Sequence, residues 1–168
     1  MPIPTEQKQH CAALIDLFES FQEFKGIFYN LQNGYSRGSY ILNFKDSSNN
    51  KALSVGLFIK TSNKRLSPWN FTFKKIHQEE ILDLINQCDQ VFVILVAGND
   101  GFALLSYEKL KKLLDDTFEE TEWVSVSRKH RQNYRVSGKD GKLKNTLPLN
   151  AFPLNIKEYV RDYFSISD

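Results

Sequence analysis

The spacing of apolar residues changes period along the chain, and each change marks an element. CAALIDLFESFQEF sets Leu14, Leu17, Phe18, Phe21 and Phe24 on one stripe at helical spacing. It predicts an amphipathic helix that begins at about Thr5, with Thr5 or a neighbour as cap after Pro4, and ends near Gly26. GIFYNLQNGYSRG carries turn signals at Asn33-Gly34 and Arg37-Gly38 and predicts a short irregular or extended piece. SYILNF and ALSVGLFIK are β-rich runs joined by the polar turn KDSSNNK, which predicts an antiparallel pair. After TSNKRLSP, the alternation of Trp69, Phe71 and Phe73 with Asn70, Thr72 and Lys74 predicts a strand with one buried face.

Helical spacing returns in HQEEILDLINQC through Ile81, Leu82, Leu84 and Ile85. QVFVILVAG is a continuous β-branched run, the pattern of a central strand covered on both sides, and the turn from Gly98 to Gly101 folds GFALLS back on it. Ser106 is placed to cap a third helix, SYEKLKKLLDD, with Glu108 in its first turn. WVSVSRKHRQNYRVSG predicts a strand pair or bent ribbon, and NAFPLNIKEYVRDYF a loop and a short helix. This order of elements predicts an α/β (α+β) class, with a single mixed β-sheet flanked by helices.

Composition narrows the function classes. A length of 168 residues predicts one domain, spanning 1–168, and 41% hydrophobic with 25% charged residues is the composition of a globular protein. A formal charge of +2 excludes a polycation of the histone type and shifts attention to local patches. The first residues show no basic segment followed by an apolar core, and no apolar run approaches a membrane span of about 20 residues, so a soluble, cytoplasmic protein is expected. Cys11 and Cys88 lack CxxC partners and are expected to be small, partly buried thiols. His10, His77 and His130 form no HxH or HExxH spacing, which disfavours a zinc site. Neither a nucleophile elbow nor a glycine-rich phosphate loop is present.

Lys60 ends the otherwise apolar run ALSVGLFIK. Either its stem packs along the sheet while the ammonium reaches water, or the ammonium holds a phosphate or orients a water beside a metal. The order helix, hairpin ending in IKTS, PWNFTF strand, helix and strand resembles the αβββαβ core of the PD-(D/E)xK nuclease superfamily over about residues 6–97. The resemblance implies a restriction-endonuclease-like core, with Lys60 as the motif lysine and Thr61 and Ser62 as the polar pair after it. It also implies magnesium as cofactor. Two positions before the lysine, where an active member carries a metal-binding carboxylate, this chain has Phe58, and Asn43 stands where the earlier aspartate is expected. Asp46 just beyond Asn43, and Glu19 or Glu23 on the first helix, are the carboxylates left to hold a metal. The catalytic candidates are therefore Lys60, Glu19 and Asp46, with Glu19 and Asp46 as metal ligands.

The second constellation is SRKHRQNYR. Arg128, Lys129, Arg131 and Arg135 fall within nine residues, interleaved with His130 and Tyr134, and Lys139, Lys142 and Lys144 continue the excess. Such a run is either a solvated loop or a set of phosphate contacts with an aromatic for base stacking. NKRLSPW adds Lys64 and Arg65, with Trp69 expected as a core anchor. Acids gather instead in DDTFEETE.

The reading is a nucleic-acid-binding protein, of DNA in particular, with a nuclease-like fold. Ser62, Lys64, Arg65, Arg128, Lys129, Arg131, Tyr134 and Arg135 form its contacting surface beside Lys60. Metal-dependent phosphodiester hydrolysis in restriction, defence, mobile-element or repair biology, alone, as a homodimer or as a subunit, is what the resemblance would imply. The alternative is a non-catalytic interaction module that docks a partner through exposed Tyr35, Tyr40 or Phe152.

Overall fold

The computed structural model describes residues 1–34, 36–117 and 120–166. Among the described residues the chain runs α1 (Thr5–Ser20), β1 (Ile27–Asn33), β2 (Ser39–Asp46), β3 (Ala52–Ser62), β4 (Trp69–Phe73) and α2 (Lys75–Gln87). It continues with β5 (Gln90–Ala97), β6 (Phe102–Ser106), α3 (Tyr107–Leu110), β7 (Glu122–Ser127), β8 (Arg135–Gly138) and α4 (Ala151–Phe164). The mixed α/β class is as expected. The single sheet is not: the strands divide into a five-stranded sheet, β1-β2-β3-β5-β6, and a three-stranded sheet, β4-β7-β8. β4 does bury one face, but its backbone partner is β7, in the register Trp69↔Val126 to Phe73↔Glu122. A period of two reveals which face is buried and is silent on which strand supplies the hydrogen bonds.

The larger sheet is antiparallel through β1, β2 and β3, then parallel between β3 and β5, then antiparallel again to β6. Two adjacent parallel strands need a crossover, and β4 with α2 supplies it. Alternation along β3 sends Leu57 and Ile59 to one face, where α1 and α4 cover them through Ala13, Leu17, Ile156 and Val160. Phe58 goes to the other face, against Phe73, α2 and the second sheet. β5, paired on both sides and covered on both faces, is the central strand its composition predicts.

Four elements depart from the sequence reading. Residues 26–38, expected as an irregular or extended piece, contain a full strand, β1, in register with β2 from Ile27↔Asp46 to Asn33↔Tyr40. It is an edge strand, mostly exposed, and so lacks the alternation by which a half-buried strand is recognised. α1 stops at Ser20 rather than near Gly26, and Phe21 and Phe24 remain against the core from the turn that follows, their rings stacked at 5.6 Å. Pro4 rather than Thr5 takes the cap position, with no side-chain cap bond. The third helix shrinks to the single turn of α3, although Ser106 caps it as expected, its Oγ accepting from Lys109 N at 3.3 Å. α4 is broken at Phe152, whose φ of −103° and ψ of 131° are not helical, and runs on from there to Phe164, with Ile156, Val160 and Phe164 repeating at one-turn intervals on its buried face.

No helix among the described residues is long and apolar enough to cross a membrane. The carboxyl ends of the parallel pair lie side by side, Lys60 opposite Leu95 and Ser62 opposite Ala97, so the loops that follow them leave from one edge of the sheet. In open α/β sheets that edge is the usual place for a ligand.

Candidate nucleic-acid interface

Two basic loops meet at this edge. Residues 63–68 follow β3, and residues 128–134 connect β7 to β8. Ser67 Oγ accepts a hydrogen bond from Arg128 N at 3.1 Å, which ties one loop to the other. Between them stands the β5–β6 turn. Gly98 has a φ of 56°, and a Cβ there would lie 2.5 Å from the Lys64 carbonyl oxygen, so a side chain is excluded by backbone geometry and by space together. Lys64 O also accepts from Trp69 Nε1 at 3.0 Å, and Trp69 is buried as the anchor it was expected to be.

Asp100 clamps the second loop. Arg128 donates to both carboxylate oxygens, Nε to Oδ2 at 2.6 Å and Nη2 to Oδ1 at 2.7 Å, and Tyr134 Oη donates to Oδ2 at 2.8 Å. Burial pushes the Asp100 carboxyl up, but the hydrogen bonds from Arg128 and Tyr134 outweigh it and hold the group below the usual carboxylate range. Two of the expected contact residues are thereby committed inside the protein. The Arg128 guanidinium is engaged by Asp100, and the Tyr134 ring is 1% exposed, edge-on to Trp69 at 6.3 Å between centroids. Tyr134 is not a stacking platform, because the ribbon folds its ring into the core and leaves the neighbouring positions outside.

Those neighbours remain available. Lys64, Arg65, Lys129 and Arg131 are exposed, and none of the four has a carboxylate partner among the described residues. Arg135 is also exposed and points away from the core, lining a cleft of about 440 Å³ with Lys142 and Lys144. Ser62 is buried, 9% exposed, and its Oγ accepts from Lys64 N at 3.4 Å, so it shapes the loop from within rather than facing a ligand.

Lys60 has a surrounding of its own. It shares the Phe58 face of β3, and its Nζ donates to His77 Nδ1 at 3.2 Å and lies 5.3 Å from the Phe73 ring centroid. His77 Nδ1 also accepts from Lys74 N at 3.1 Å, at the start of α2, which keeps that nitrogen unprotonated. Burial pushes the Lys60 ammonium down to about 8, against the opposing influence of Glu6 and Glu80. Burial, with Lys60 and Lys74 nearby, lowers His77 as well. The carboxylates that influence Lys60 are thus Glu6 and Glu80.

Glu19 and Asp46 are placed elsewhere. Asp46 lies beyond the Lys45↔Ala52 pair, at the opposite end of β3 from Lys60, eight residues or about 26 Å along the strand. Its Oδ1 accepts from Ser48 N at 2.8 Å and Ser48 Oγ at 2.7 Å, the bonds of a local turn. Glu19 is exposed near the end of α1, 13 residues or about 20 Å along the helix from Glu6. Glu23 is bonded to Lys157 at 2.6 Å. Of the aromatics expected to dock a partner, Phe152 is buried, 5% exposed, Tyr40 is half-buried with its hydroxyl 3.1 Å from His10 Nδ1, and Tyr35 lies outside the described residues.

His77, Asp100 and Glu6 were not singled out from the sequence. Asp100 sits in a turn whose composition already explained it, and His77 has no metal-ligand spacing. A cleft of about 610 Å³ beside the α1 N-terminus, lined by Glu6, His10, Arg37 and Tyr40, was equally silent. Cys11 is exposed rather than partly buried, while Cys88 is half-buried as expected. No protein family, characterised protein or solved structure matches the chain.

Proposed function

We propose that the protein binds nucleic acid, DNA in the first instance, through the paired basic loops at the carboxyl edge of β3 and β5, on a nuclease-like scaffold. The observation that carries the reading is the Ser67–Arg128 hydrogen bond, which joins the two loops that bear Lys64, Arg65, Lys129 and Arg131, four exposed cations without carboxylate partners among the described residues. Four like charges held together and left unneutralised repel one another in the free protein, and a polyanion relieves that repulsion while releasing its own counterions. The order α1, then antiparallel β1, β2 and β3, then a crossover through β4 and α2 to β5 parallel to β3 supports the scaffold part of the reading, although β4, the PWNFTF strand, pairs in the second sheet and not beside β3.

A second reading, metal-dependent cleavage of a phosphodiester, is favoured by Lys60. Its depressed pKa, with Glu6 and Glu80 in electrostatic range, is the kind of perturbation that collects at reaction centres.

Fluorescence anisotropy with labelled double-stranded DNA, single-stranded DNA and RNA, with and without magnesium or manganese, tests both. Binding at low salt that is lost in Lys64→Ala/Arg65→Ala/Lys129→Ala/Arg131→Ala supports the first reading. No binding to any of the three at low salt overturns it. Metal-dependent cleavage abolished by Lys60→Ala with binding retained establishes the second, and intact substrate after prolonged incubation removes it.

A further inference from the structure

Three carboxylates, Asp115, Glu122 and Asp140, come together on the side of the second sheet. Asp115 follows α3, Glu122 opens β7, and Asp140 sits in the turn after β8, so three separate segments converge. One ligand atom from each carboxylate lies within 4.8 Å of the other two. Two oxygens on one ion can stand no farther apart than twice the metal–oxygen length, about 4.6–5.2 Å for calcium and about 4.0–4.2 Å for magnesium. A separation of up to 4.8 Å falls within the span of calcium, whereas magnesium requires the oxygens to stand closer.

Glu122 supplies the independent observation. Its side chain is 0% exposed, it points inward in line with Val124 and Val126, and neither carboxylate oxygen has a hydrogen-bond partner among the described residues. A buried carboxylate in that state is costly unless a charge or a metal compensates it. The nearest cation, Lys139, is 3.8 Å from Oε1, beyond hydrogen-bonding distance, and its ammonium is held by Glu120.

Burial first, and a hydrogen bond that only the protonated acid makes with the neighbouring Asp140 carboxyl second, push Glu122 up to about 7, so its ionised form is disfavoured where no cation offsets it. The two aspartates are meanwhile fixed by backbone contacts: Thr117 N donates to Asp115 Oδ1 at 2.7 Å, and Asp115 N to Asp140 Oδ2 at 3.1 Å. Gly138 allows the approach, since a Cβ there would meet the Leu113 carbonyl oxygen.

We propose that Asp115, Glu122 and Asp140 form a binding site for a hard divalent cation of calcium size, which joins the end of α3 to the β7–β8 sheet. The proposal is independent of nucleic-acid binding, since the site lies apart from the basic loops and uses none of their residues.

The test uses the full chain stripped with a chelator. Terbium emission sensitised by Trp123, the neighbour of Glu122, is titrated and then competed with calcium, and melting is followed with calcium or magnesium. Saturable emission at one ion per chain is expected, displaced by calcium, with a Tm rise of roughly 5 °C at a hundredfold excess of calcium over Kd. Asp115→Asn and Asp140→Asn, at exposed positions, should each weaken terbium by at least about tenfold without loss of the fold. Glu122→Gln should abolish the calcium response. Absence of sensitised emission together with no calcium-dependent rise in Tm overturns the site. So does a response that survives the Asp115→Asn/Asp140→Asn double variant, which decides the matter even if Glu122→Gln fails to fold. A magnesium response larger than the calcium response overturns the assignment of ion size.

Discussion

At the scale of single residues, burial without full compensation governs the chemistry. Lys60 has a folded pKa of about 8 against an ordinary value of 10.5. Between those two values the folded state holds fewer protons than the unfolded chain, so this group makes stability rise with pH across that window. Below about pH 8 the ammonium is charged in both states and its burial opposes folding. Lys60→Met should therefore raise the urea midpoint at pH 7, and its advantage over the parent should shrink toward pH 10. A difference that stays constant with pH would show that the Lys60 ammonium is not perturbed. The same physics separates the two thiols: burial, with Asp89 nearby, pushes Cys88 up to about 11, whereas Cys11 is exposed. A chromogenic disulfide at pH 8 should label Cys11 fast and Cys88 only at the rate of local opening, giving two resolved phases.

At the scale of elements, β3 contributes to the core on both of its faces. Phe58 is 2% exposed and packs its ring against Phe73 at 6.4 Å and His77 at 6.2 Å. It is an aromatic of the core between the two sheets. Phe58→Ala should cost about 3–5 kcal/mol in denaturant unfolding, and a carboxylate there would be buried without partners. The β7–β8 loop depends in the same way on Asp100. Asp100→Ala removes the acceptor for Arg128 and for Tyr134, and should cost about 2 kcal/mol of stability. Because Ser67 would lose its fixed partner at Arg128, hydrogen exchange should quicken in residues 63–68 as well as in 128–134. Exchange confined to the second loop would mean that the two loops are not mechanically joined.

At the scale of the whole molecule, charge is arranged by the fold rather than by the total. A formal +2 is spread over a basic edge and an acidic corner, at Asp115, Glu122 and Asp140. If the edge contacts phosphates, binding to double-stranded DNA should weaken linearly with the logarithm of salt concentration. The quadruple alanine variant at Lys64, Arg65, Lys129 and Arg131 should then lower the slope by about 3 to 4, near 0.9 per lost contact. An unchanged slope would assign the binding to other residues, with Arg135, Lys142 and Lys144 the next to test.

The sequence by itself determined the class of fold and most of its elements: the central strand QVFVILVAG, the alternating strand at Trp69–Phe73, and the helices whose stripes are buried. These were legible because period and composition report burial, and burial is what the apolar residues are there to achieve. The exposed edge strand β1 was not legible, since it buries too little to impose a period. Only the tertiary structure decided which basic residues face out and which are consumed inside. Arg128 and Tyr134 look no different in the chain from Lys129 and Arg131, yet one pair closes on Asp100 and the other does not. Pairing across 28 and 34 residues depends on how two turns meet in space, and nothing local in the chain encodes that meeting. The same holds for Glu122, which is left without a hydrogen-bond partner among the described residues only when α3, β7 and the turn after β8 are packed together.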